Sequence, residues 1–124
     1  TSPLRKISDI SNAINFFNKS KYNNLVSGSH AKKNPYFNQV IMKKNRIKIV
    51  CENKKRINSR QHAPNIYDLN ASIYIWKRNY LLESKILINQ KTGFFKMKPE
   101  NSFDIDTDLD FKIVKYIFEN KLNK

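Results

Sequence analysis

The sequence is poor in the residues that build disulfides, metal centres and glycine-rich loops. Its 124 residues contain one cysteine, two histidines and two glycines. The single Cys51 excludes an internal disulfide, which is typical of proteins from a reducing cytoplasm, and few zinc ligands are available. With only Gly28 and Gly93, the chain contains no glycine-rich phosphate loop.

Long apolar runs are also absent from the sequence. No stretch approaches the ~20 apolar residues that a membrane helix needs, and residues 1–20 lack the apolar segment of a signal peptide. We therefore expect a cytoplasmic protein that does not cross a membrane. Hydrophobic residues still make up 40% of the chain, which is enough for a folded core and argues against wholesale disorder.

Positive charge is in excess, but it is unevenly distributed. The net charge is +14; residues 1–99 carry 20 basic and 4 acidic side chains, whereas residues 100–124 carry 4 basic and 6 acidic ones. A basic nucleic-acid-binding module is one interpretation of this excess. No nucleic-acid-binding motif supports it, and the acidic cluster at 104–110 would repel phosphate unless it held a metal. Nucleic acid is therefore a disfavoured partner.

Helical apolar spacing is clearest near the two ends of the chain. Ser8 or Asp9 can cap a first helix, whose apolar face is formed by Ile10, Ala13, Ile14 and Phe17. Residues 107–110, Thr-Asp-Leu-Asp, resemble a capping box with Asp in the third position after Thr107. The box predicts a C-terminal helix with an apolar stripe of Leu109, Ile113, Tyr116 and Ile117, which Leu122 can extend.

Strand patterns occupy much of the remaining sequence. Residues 25–27 predict a short buried strand that ends in a turn at Gly28, and residues 46–51 alternate as a half-buried strand does. A short helix is predicted at 80–84, and three further strands are predicted at 71–76, 85–88 and 94–97. The polar residues 52–65 suit a long connector or arm. Strands mixed with helices indicate an α/β chain.

Asp104 and Asp106 flank Ile105 just before the capped helix. In an extended segment, residues i and i+2 project to one face, and two carboxylates on one face repel each other unless a cation or hydrogen bonds intervene. Such a pair can hold Mg²⁺ together with substrate phosphates. The alternative is a solvated loop, because Asp-Xaa-Asp is a common sequence. Asp108 and Asp110 are explained as helix-start residues, where the helix dipole favours anions.

Three longer motifs lie in order along nearly the whole chain. Residues 102–110 read Ser-Phe-Asp-Ile-Asp-Thr-Asp-Leu-Asp, residues 1–5 read Thr-Ser-Pro-Leu-Arg, and residues 60–70 read Arg-Gln-His-Ala-Pro-Asn-Ile-Tyr-Asp-Leu-Asn. They resemble, respectively, the Ser-Ile-Asp-Ile-Asp-Thr-(Asp/Glu)-Xaa-Asp, Gln-Pro-Thr-Ser-Pro-Leu-Arg and Arg-Gln-(two)-Pro-(two)-aromatic-(two)-Asn motifs of acylneuraminate cytidylyltransferases, the CMP-sialic acid synthetases. Residues 70–75 are similar to the family's Asn-Gly-Ala-Ile-Tyr-Ile pattern.

The resemblance implies a three-layer α/β fold, the Rossmann-like fold of nucleotide-diphospho-sugar transferases, which is incomplete here. It implies transfer of CMP from CTP to the anomeric hydroxyl of a nine-carbon α-keto sugar acid of sialic, legionaminic or pseudaminic type. Pyrophosphate is released, and the product serves cell-surface glycan biosynthesis. The chain also starts within sequence that looks ordered, so residues 1–124 would form the C-terminal part of a single cytidylyltransferase domain.

The same resemblance implies a homodimer, with about 34–66 as a dimerisation arm. The family's N-terminal loop around the CTP phosphates is missing from these residues, so we expect the chain alone to be inactive. A non-catalytic dimerisation remnant is therefore a further alternative to a working enzyme.

Two groups of catalytic residues are implied by the resemblance. Asp104 and Asp106 would hold Mg²⁺ against the triphosphate, where a metal can stabilise pyrophosphate as it leaves. Arg60 would lie on the arm that exchanges between subunits and helps to complete the partner's site. Arginine suits this role because it can clamp a carboxylate or a phosphate through two parallel hydrogen bonds.

Binding residues are implied in the same way. Thr1, Ser2 and Arg5 would belong to the nucleotide pocket, and Asn70 and Tyr74 would line the sugar side, where an amide and a hydroxyl can bind sugar hydroxyls.

One departure from the family lies beside Asn70. The family's Asn-Gly-Ala is Asn70-Ala71-Ser72 here. With alanine at the glycine position, we expect no requirement for a positive φ at residue 71. Together with residues 34–38 and 76–78, this departure resembles the bacterial legionaminate or pseudaminate branch.

Overall fold

The computed structural model describes residues 2–51 and 63–121. Within these residues the chain forms three α-helices and a 3₁₀ turn: α1 (Ile7–Asn18), α2 (Arg78–Glu83), α3 (Asp108–Lys121) and the turn Pro99–Asn101. The strands in the same residues are β1 (Asn24–His30), β2 (Val40–Lys43), β3 (Arg46–Ile49), β4 (Tyr67–Trp76) and β5 (Thr92–Lys96). None of the helices described is long and apolar enough to cross a bilayer.

The chain divides into two compact units. The sheet unit comprises Thr1–Ser29 and Asp68–Lys124, and the hairpin unit comprises His30–Tyr67. Most of the predicted arm, residues 34–66, falls in the hairpin unit, although residues 52–62 lie outside the described residues.

A three-stranded sheet with the order β4-β1-β5 forms the centre of the sheet unit. β1 and β5 are parallel, with residues 24–28 paired to residues 92–96. The core beside the sheet is small and consists of Ala13, Leu25, Ile73 and Met97, against which Phe17, Ile75 and Phe95 pack. The packing of α1 beside this mixed sheet confirms the predicted α/β class.

β4 pairs with the other edge of β1 and runs antiparallel to it. At one end the Lys77 amide donates to the Asn23 carbonyl (2.9 Å), and at the other end Gly28 lies against the Asp68 carbonyl. The predicted turn at Gly28 is therefore wrong, because β1 continues through it. A Cβ atom there would collide with the Asp68 oxygen and lie 2.8 Å from the Phe94 ring, so glycine is required for close approach of the two strands.

Both predicted helical faces are only partly correct. In α1, Ala13 is fully buried and Phe17 packs on the core, but Ile10 and Ile14 are 37% and 44% exposed. In α3, Val114 is buried, whereas most of the predicted stripe is exposed, namely Leu109, Ile113 and Tyr116. Helical spacing identifies apolar faces, but the rotation of a helix about its axis is set by the surface on which it packs. Leu122 lies outside the described residues.

One predicted strand is absent from the residues that the structure describes, and the cap of the first helix differs from the predicted one. No strand forms at residues 85–88; the Leu87 carbonyl instead accepts a hydrogen bond from Asn24 Nδ2 (2.7 Å), a side-chain contact that replaces strand pairing. The first helix is capped differently as well. Lys6 is the N-cap, and the Asp9 carboxylate accepts a hydrogen bond from the Lys6 amide (3.0 Å), so Asp9 acts from within the first turn.

The hairpin unit contains an antiparallel pair, β2 and β3. β3 was expected from its alternating pattern, but β2 was not. The connecting residues Lys44 and Asn45 both have positive φ, 46° and 58°, as a type I′ turn requires. Because Lys-Asn lacks the glycine that usually marks such a turn, the sequence conceals the hairpin.

The predicted capping box at the start of α3 is confirmed. The Asp110 amide donates to Thr107 Oγ1 (3.2 Å), and the Thr107 amide donates in return to Asp110 Oδ2 (2.9 Å). The Thr107 hydroxyl also donates to the same carboxylate oxygen (2.7 Å). The hydroxyl, followed by the amide of Thr107, lowers the pKa of Asp110 below its ordinary value of 3.8, because both bonds favour the charged carboxylate.

We expect acid to weaken the start of α3 through Asp110. Since the folded-state pKa is lowered, the carboxylate contributes stability above the unfolded value near 3.8, and that contribution is lost as the pH falls through the folded-state pKa. Thermal unfolding measured from about pH 6 to about pH 2 should show a steeper loss of stability for the wild type than for Asp110→Asn, which cannot titrate. Equal acid sensitivity of the two proteins would contradict this expectation.

Candidate functional site

The candidate site lies where the parallel strands of the sheet unit end. After β5, the chain forms the turn Pro99–Asn101 and continues through Ser102 to Asp104 and Asp106 before α3 begins. In open α/β sheets, ligands bind beyond the carboxyl ends of the strands. The loop that carries the two aspartates therefore occupies the position at which this class of fold binds its ligands.

Asn70 is the centre of a hydrogen-bond network at this edge. Its Oδ1 accepts hydrogen bonds from Ser27 Oγ (2.7 Å) and from the Ser72 amide (3.2 Å). Its Nδ2 donates to Ser102 Oγ (3.1 Å) and contacts Met97 Sδ at 3.2 Å. Two donors and two acceptor sites are the full capacity of an asparagine amide. The side chain expected on the sugar side is thus fully engaged within the protein.

β4 is distorted beside Asn70. Ala71 has a φ of 48°, which corrects the expectation that alanine would remove the need for a positive φ. Side chains bind the two amides that follow: Asn70 Oδ1 binds the Ser72 amide, and Ser27 Oγ accepts from the Ile73 amide (2.8 Å). These bonds hold the distorted backbone, and alanine bears the strain that glycine would avoid.

Replacement of Ala71 by glycine is expected to stabilise the protein by about 1 kcal/mol, since a left-handed backbone costs an L-residue roughly 1–2 kcal/mol and glycine almost nothing. Ala71→Val should destabilise it, because a β-branched side chain tolerates positive φ less well. Chemical denaturation of the three proteins tests this order. A glycine variant that is less stable than the wild type would show that Ala71 does not strain the backbone of the folded protein.

Arg5 is joined to the same distorted segment. Its Nη1 donates to the Ser72 carbonyl and lies 3.4 Å from Ser72 Oγ. The Arg5 amide also donates to the Ser2 carbonyl (3.3 Å), which closes the loop before α1. The expected nucleotide loop and the aspartate loop are therefore connected through one network, from Arg5 to Ser72, Asn70 and Ser102. Thr1 lies outside the described residues.

The aspartate pair differs in exposure. Asp104 is half-buried and Asp106 is exposed. Asp104 Oδ1 accepts a hydrogen bond from the Ile105 amide (3.0 Å), and the Asp106 amide donates to Asp110 Oδ2 (3.3 Å). In the described part of the chain, no group of three or more acidic, histidine or cysteine side chains could enclose a metal. Two carboxylates with substrate phosphates still fit Mg²⁺, which keeps waters and needs few protein ligands.

One other predicted site residue, Tyr74, stands apart from this network. Tyr74 lies further along β4, where its ring packs against Trp76 with centroids 5.4 Å apart. Arg60 falls among residues 52–62, outside the described part of the chain. Sequence reasoning missed Ser27 and Ser102, which hold Asn70. Ser27 is fully buried within an apolar strand, and a polar residue in such a place is the signal that could have indicated it.

The hairpin unit has a cavity of its own, of about 290 Å³. Basic side chains and asparagine amides line part of it, including His30, Lys32, Lys33, Asn34 and Asn38. Apolar side chains, including Phe37, Pro64 and Ile66, line the rest of it.

Together, the mixed sheet with its helices and the polar loops at the carboxyl edge of the sheet fit a nucleotidyltransferase-like α/β fold. The sequence is 38% identical over 98% of its length to post-translational flagellin modification protein B of Campylobacter coli. It is 45% identical over 78% of its length to the CMP-N,N'-diacetyllegionaminic acid synthase of Campylobacter jejuni. It is also 31% identical over 95% of its length to an N-acylneuraminate cytidylyltransferase of Streptococcus agalactiae. No protein-family model matches the sequence.

These similarities confirm the resemblance predicted from the motifs: the chain belongs to the acylneuraminate cytidylyltransferase family. The matched region is a part of each relative. The chain spans 51% of the C. coli protein, 40% of the C. jejuni protein and 29% of the streptococcal one.

Proposed function

We propose that this chain belongs to an enzyme that transfers CMP from CTP to a nonulosonic acid and releases pyrophosphate. The observation that carries the proposal is that Asp104 and Asp106 lie on a loop at the carboxyl edge of the sheet, and that Ser102 of this loop is connected through Asn70 and Ser72 to Arg5. Similarity to a CMP-diacetyllegionaminic acid synthase supports it. The cytoplasm is the proposed location, in agreement with the single cysteine.

The residues suit the chemistry of this transfer. Asp104 and Asp106 would hold Mg²⁺, which would neutralise triphosphate charge and stabilise pyrophosphate as it leaves. Phosphoryl-type transfer depends on positioning and charge neutralisation more than on covalent catalysis. The Asn70 network would supply that positioning, because it links the nucleotide loop to the aspartate loop through hydrogen bonds.

Legionaminic acid is the proposed type of sugar acid. Identity to the C. jejuni legionaminic acid synthase is 45%, against 31% to the streptococcal sialic acid enzyme. The second Campylobacter relative is named for flagellin modification. The C. jejuni relative favours a legionaminic acid product over sialic acid, and the C. coli relative favours use of that product on a bacterial surface protein.

A homodimer is the proposed assembly, with the hairpin unit in the arm. Apolar side chains are exposed on both strands of the hairpin, with Met42 and Ile47 74% and 69% exposed. A two-stranded hairpin is marginally stable in water unless another surface covers it. A second copy of the chain would provide that surface, and Arg60 would then act in the partner's site.

The experiment uses the complete protein encoded by the gene that contains this sequence. Pyrophosphate release from CTP and Mg²⁺ is measured with N,N'-diacetyllegionaminic acid and with N-acetylneuraminic acid. We expect kcat/KM to be about 10-fold or more higher for the legionaminic acid, as expected for a pocket that distinguishes polar substituents.

Two outcomes would contradict the proposal. Absence of pyrophosphate release with every nonulosonic acid, from a folded dimer, would favour a non-catalytic dimerisation remnant. Binding of DNA or RNA that weakens steeply with salt, without turnover, would favour the nucleic-acid-binding alternative.

A further inference from the structure

The loop that carries Asp104 and Asp106 is anchored at the two residues before Phe103. Ser102 is bound by Asn70, as described above. Asn101, at the end of the 3₁₀ turn, is only 3% exposed, and its Nδ2 donates to Asp9 Oδ2 at 2.9 Å. The aspartate loop is therefore held from β4 and, separately, from α1.

Asp9 has a second role in the same place. It lies in the first turn of α1, the helix that directly follows the Arg5 loop, and its Oδ2 also accepts the Lys6 amide (3.0 Å). One carboxylate oxygen thus closes the start of α1 and binds Asn101. Hydrogen bonds to an ionised carboxylate are roughly twice as strong as neutral ones. The bond joins the nucleotide loop and the aspartate loop by a route that bypasses Asn70.

The other amide atom of Asn101 argues against a role in packing alone. Its Oδ1 is buried and has no hydrogen-bond partner in the part of the chain that the structure describes. A buried acceptor without a donor is destabilising. An apolar side chain would fill this position at lower cost, so the bond to Asp9 is the reason for an asparagine.

We propose that Asp9 and Asn101 are a pair of positioning residues that sets the distance between the Arg5 loop and the Asp104–Asp106 loop. This inference rests on the proposed function. Neither residue needs to touch a ligand. Asp9 holds Asn101 against α1, and Asn101 in turn holds the loop that carries Asp104 and Asp106. Loss of the pair should therefore raise the Mg²⁺ concentration that is needed for half-maximal turnover, while the protein stays folded.

The first test replaces Asn101 by alanine in the complete protein. Pyrophosphate release is measured against Mg²⁺ concentration, at a temperature where thermal unfolding shows the variant to be folded. The Mg²⁺ concentration for half-maximal rate should rise about 10-fold or more, as for other residues that orient metal ligands. Glu100→Gln is the matched control, because Glu100 is the exposed neighbour in the same turn, and it should keep the wild-type value.

The second test exchanges the two side chains. Asn101→Asp alone places two carboxylates together at a buried site, and turnover should be lost. In the double variant Asp9→Asn/Asn101→Asp, the amide nitrogen introduced at position 9 can donate to the new carboxylate, so the repulsion between two carboxylates is removed, although the bond from the Lys6 amide, which shared the same Asp9 oxygen, is lost. The double variant should therefore recover part of the wild-type Mg²⁺ dependence and be less impaired than Asn101→Asp.

The outcomes separate this inference from the proposed function. A lower melting temperature of Asn101→Ala with an unchanged Mg²⁺ midpoint would overturn the pair's positioning role, and so would a double variant as impaired as Asn101→Asp. A folded wild type without CTP turnover would overturn the proposed function and this inference together. An active wild type with insensitive variants would overturn the inference alone.

Discussion

Replacement of Asp104 or Asp106 by asparagine is expected to reduce CTP-dependent pyrophosphate release by more than about 100-fold. Residues that only orient metal ligands cost 10–100-fold when they are removed, and a direct ligand should cost at least as much. Asparagine keeps the shape of the side chain but removes the charge that would hold Mg²⁺ against the triphosphate. The reduction should be partly reversed at high Mg²⁺ concentration, because the remaining aspartate can still bind the ion weakly.

The matched control is Asp108→Asn. This residue lies in the first turn of α3, and its loss should cost only about 0.5 kcal/mol of helix stability through the helix dipole. Turnover should stay near the wild-type value. Undiminished turnover of Asp104→Asn and Asp106→Asn at physiological Mg²⁺ would remove both aspartates from the proposed metal site.

Replacement of Asn70 by alanine is expected to destabilise the protein by about 3 kcal/mol. The amide satisfies the Ser72 amide and binds the hydroxyls of Ser27 and Ser102. Each buried polar group left without a partner costs about 1–3 kcal/mol, and relaxation or water recovers part of the sum. Chemical denaturation of the complete protein measures the loss. Asn79→Ala, on the exposed surface of α2, is the control and should change stability by less than about 0.5 kcal/mol.

The same variant separates two roles of Asn70. A residue that only contacts the sugar acid would raise the KM for that substrate and leave the free energy of unfolding unchanged. A residue that connects β1, β4 and the aspartate loop should lower stability and kcat together. Unchanged stability with a raised KM would restore the interpretation of Asn70 as a sugar-binding residue.

Several features could be predicted from the sequence because they depend on neighbouring residues. The capping box at Thr107 and Asp110 involves atoms three residues apart, and the structure contains it as expected. The mixed α/β class follows from apolar spacing, and the family follows from motifs whose residue types and order can be read directly. The charges of Asp104 and Asp106 and their place before a helix can be read from the sequence in the same way.

Other features depend on contacts between distant residues and were missed or wrong. Gly28 was expected in a turn because its neighbours on β4 and β5 are more than 30 residues away in the chain. Ala71 was expected to have an ordinary backbone, but a side chain from β1 holds the amide of Ile73 and stabilises the distortion. The apolar stripe of α3 was expected to be buried but is mostly exposed, because helical spacing does not show which face of a helix the rest of the fold covers.

The sequence by itself determined the family, the class of fold, the helix start and the identity of the acidic pair, because each is expressed in residue types at short spacing. Only the tertiary structure decided how the pair is held. Asn70 reaches Ser102 across 32 positions and Asn101 reaches Asp9 across 92. Hydrogen bonds over such separations depend on which elements the fold brings together, and the residues at the two ends of each bond carry no local signal of each other.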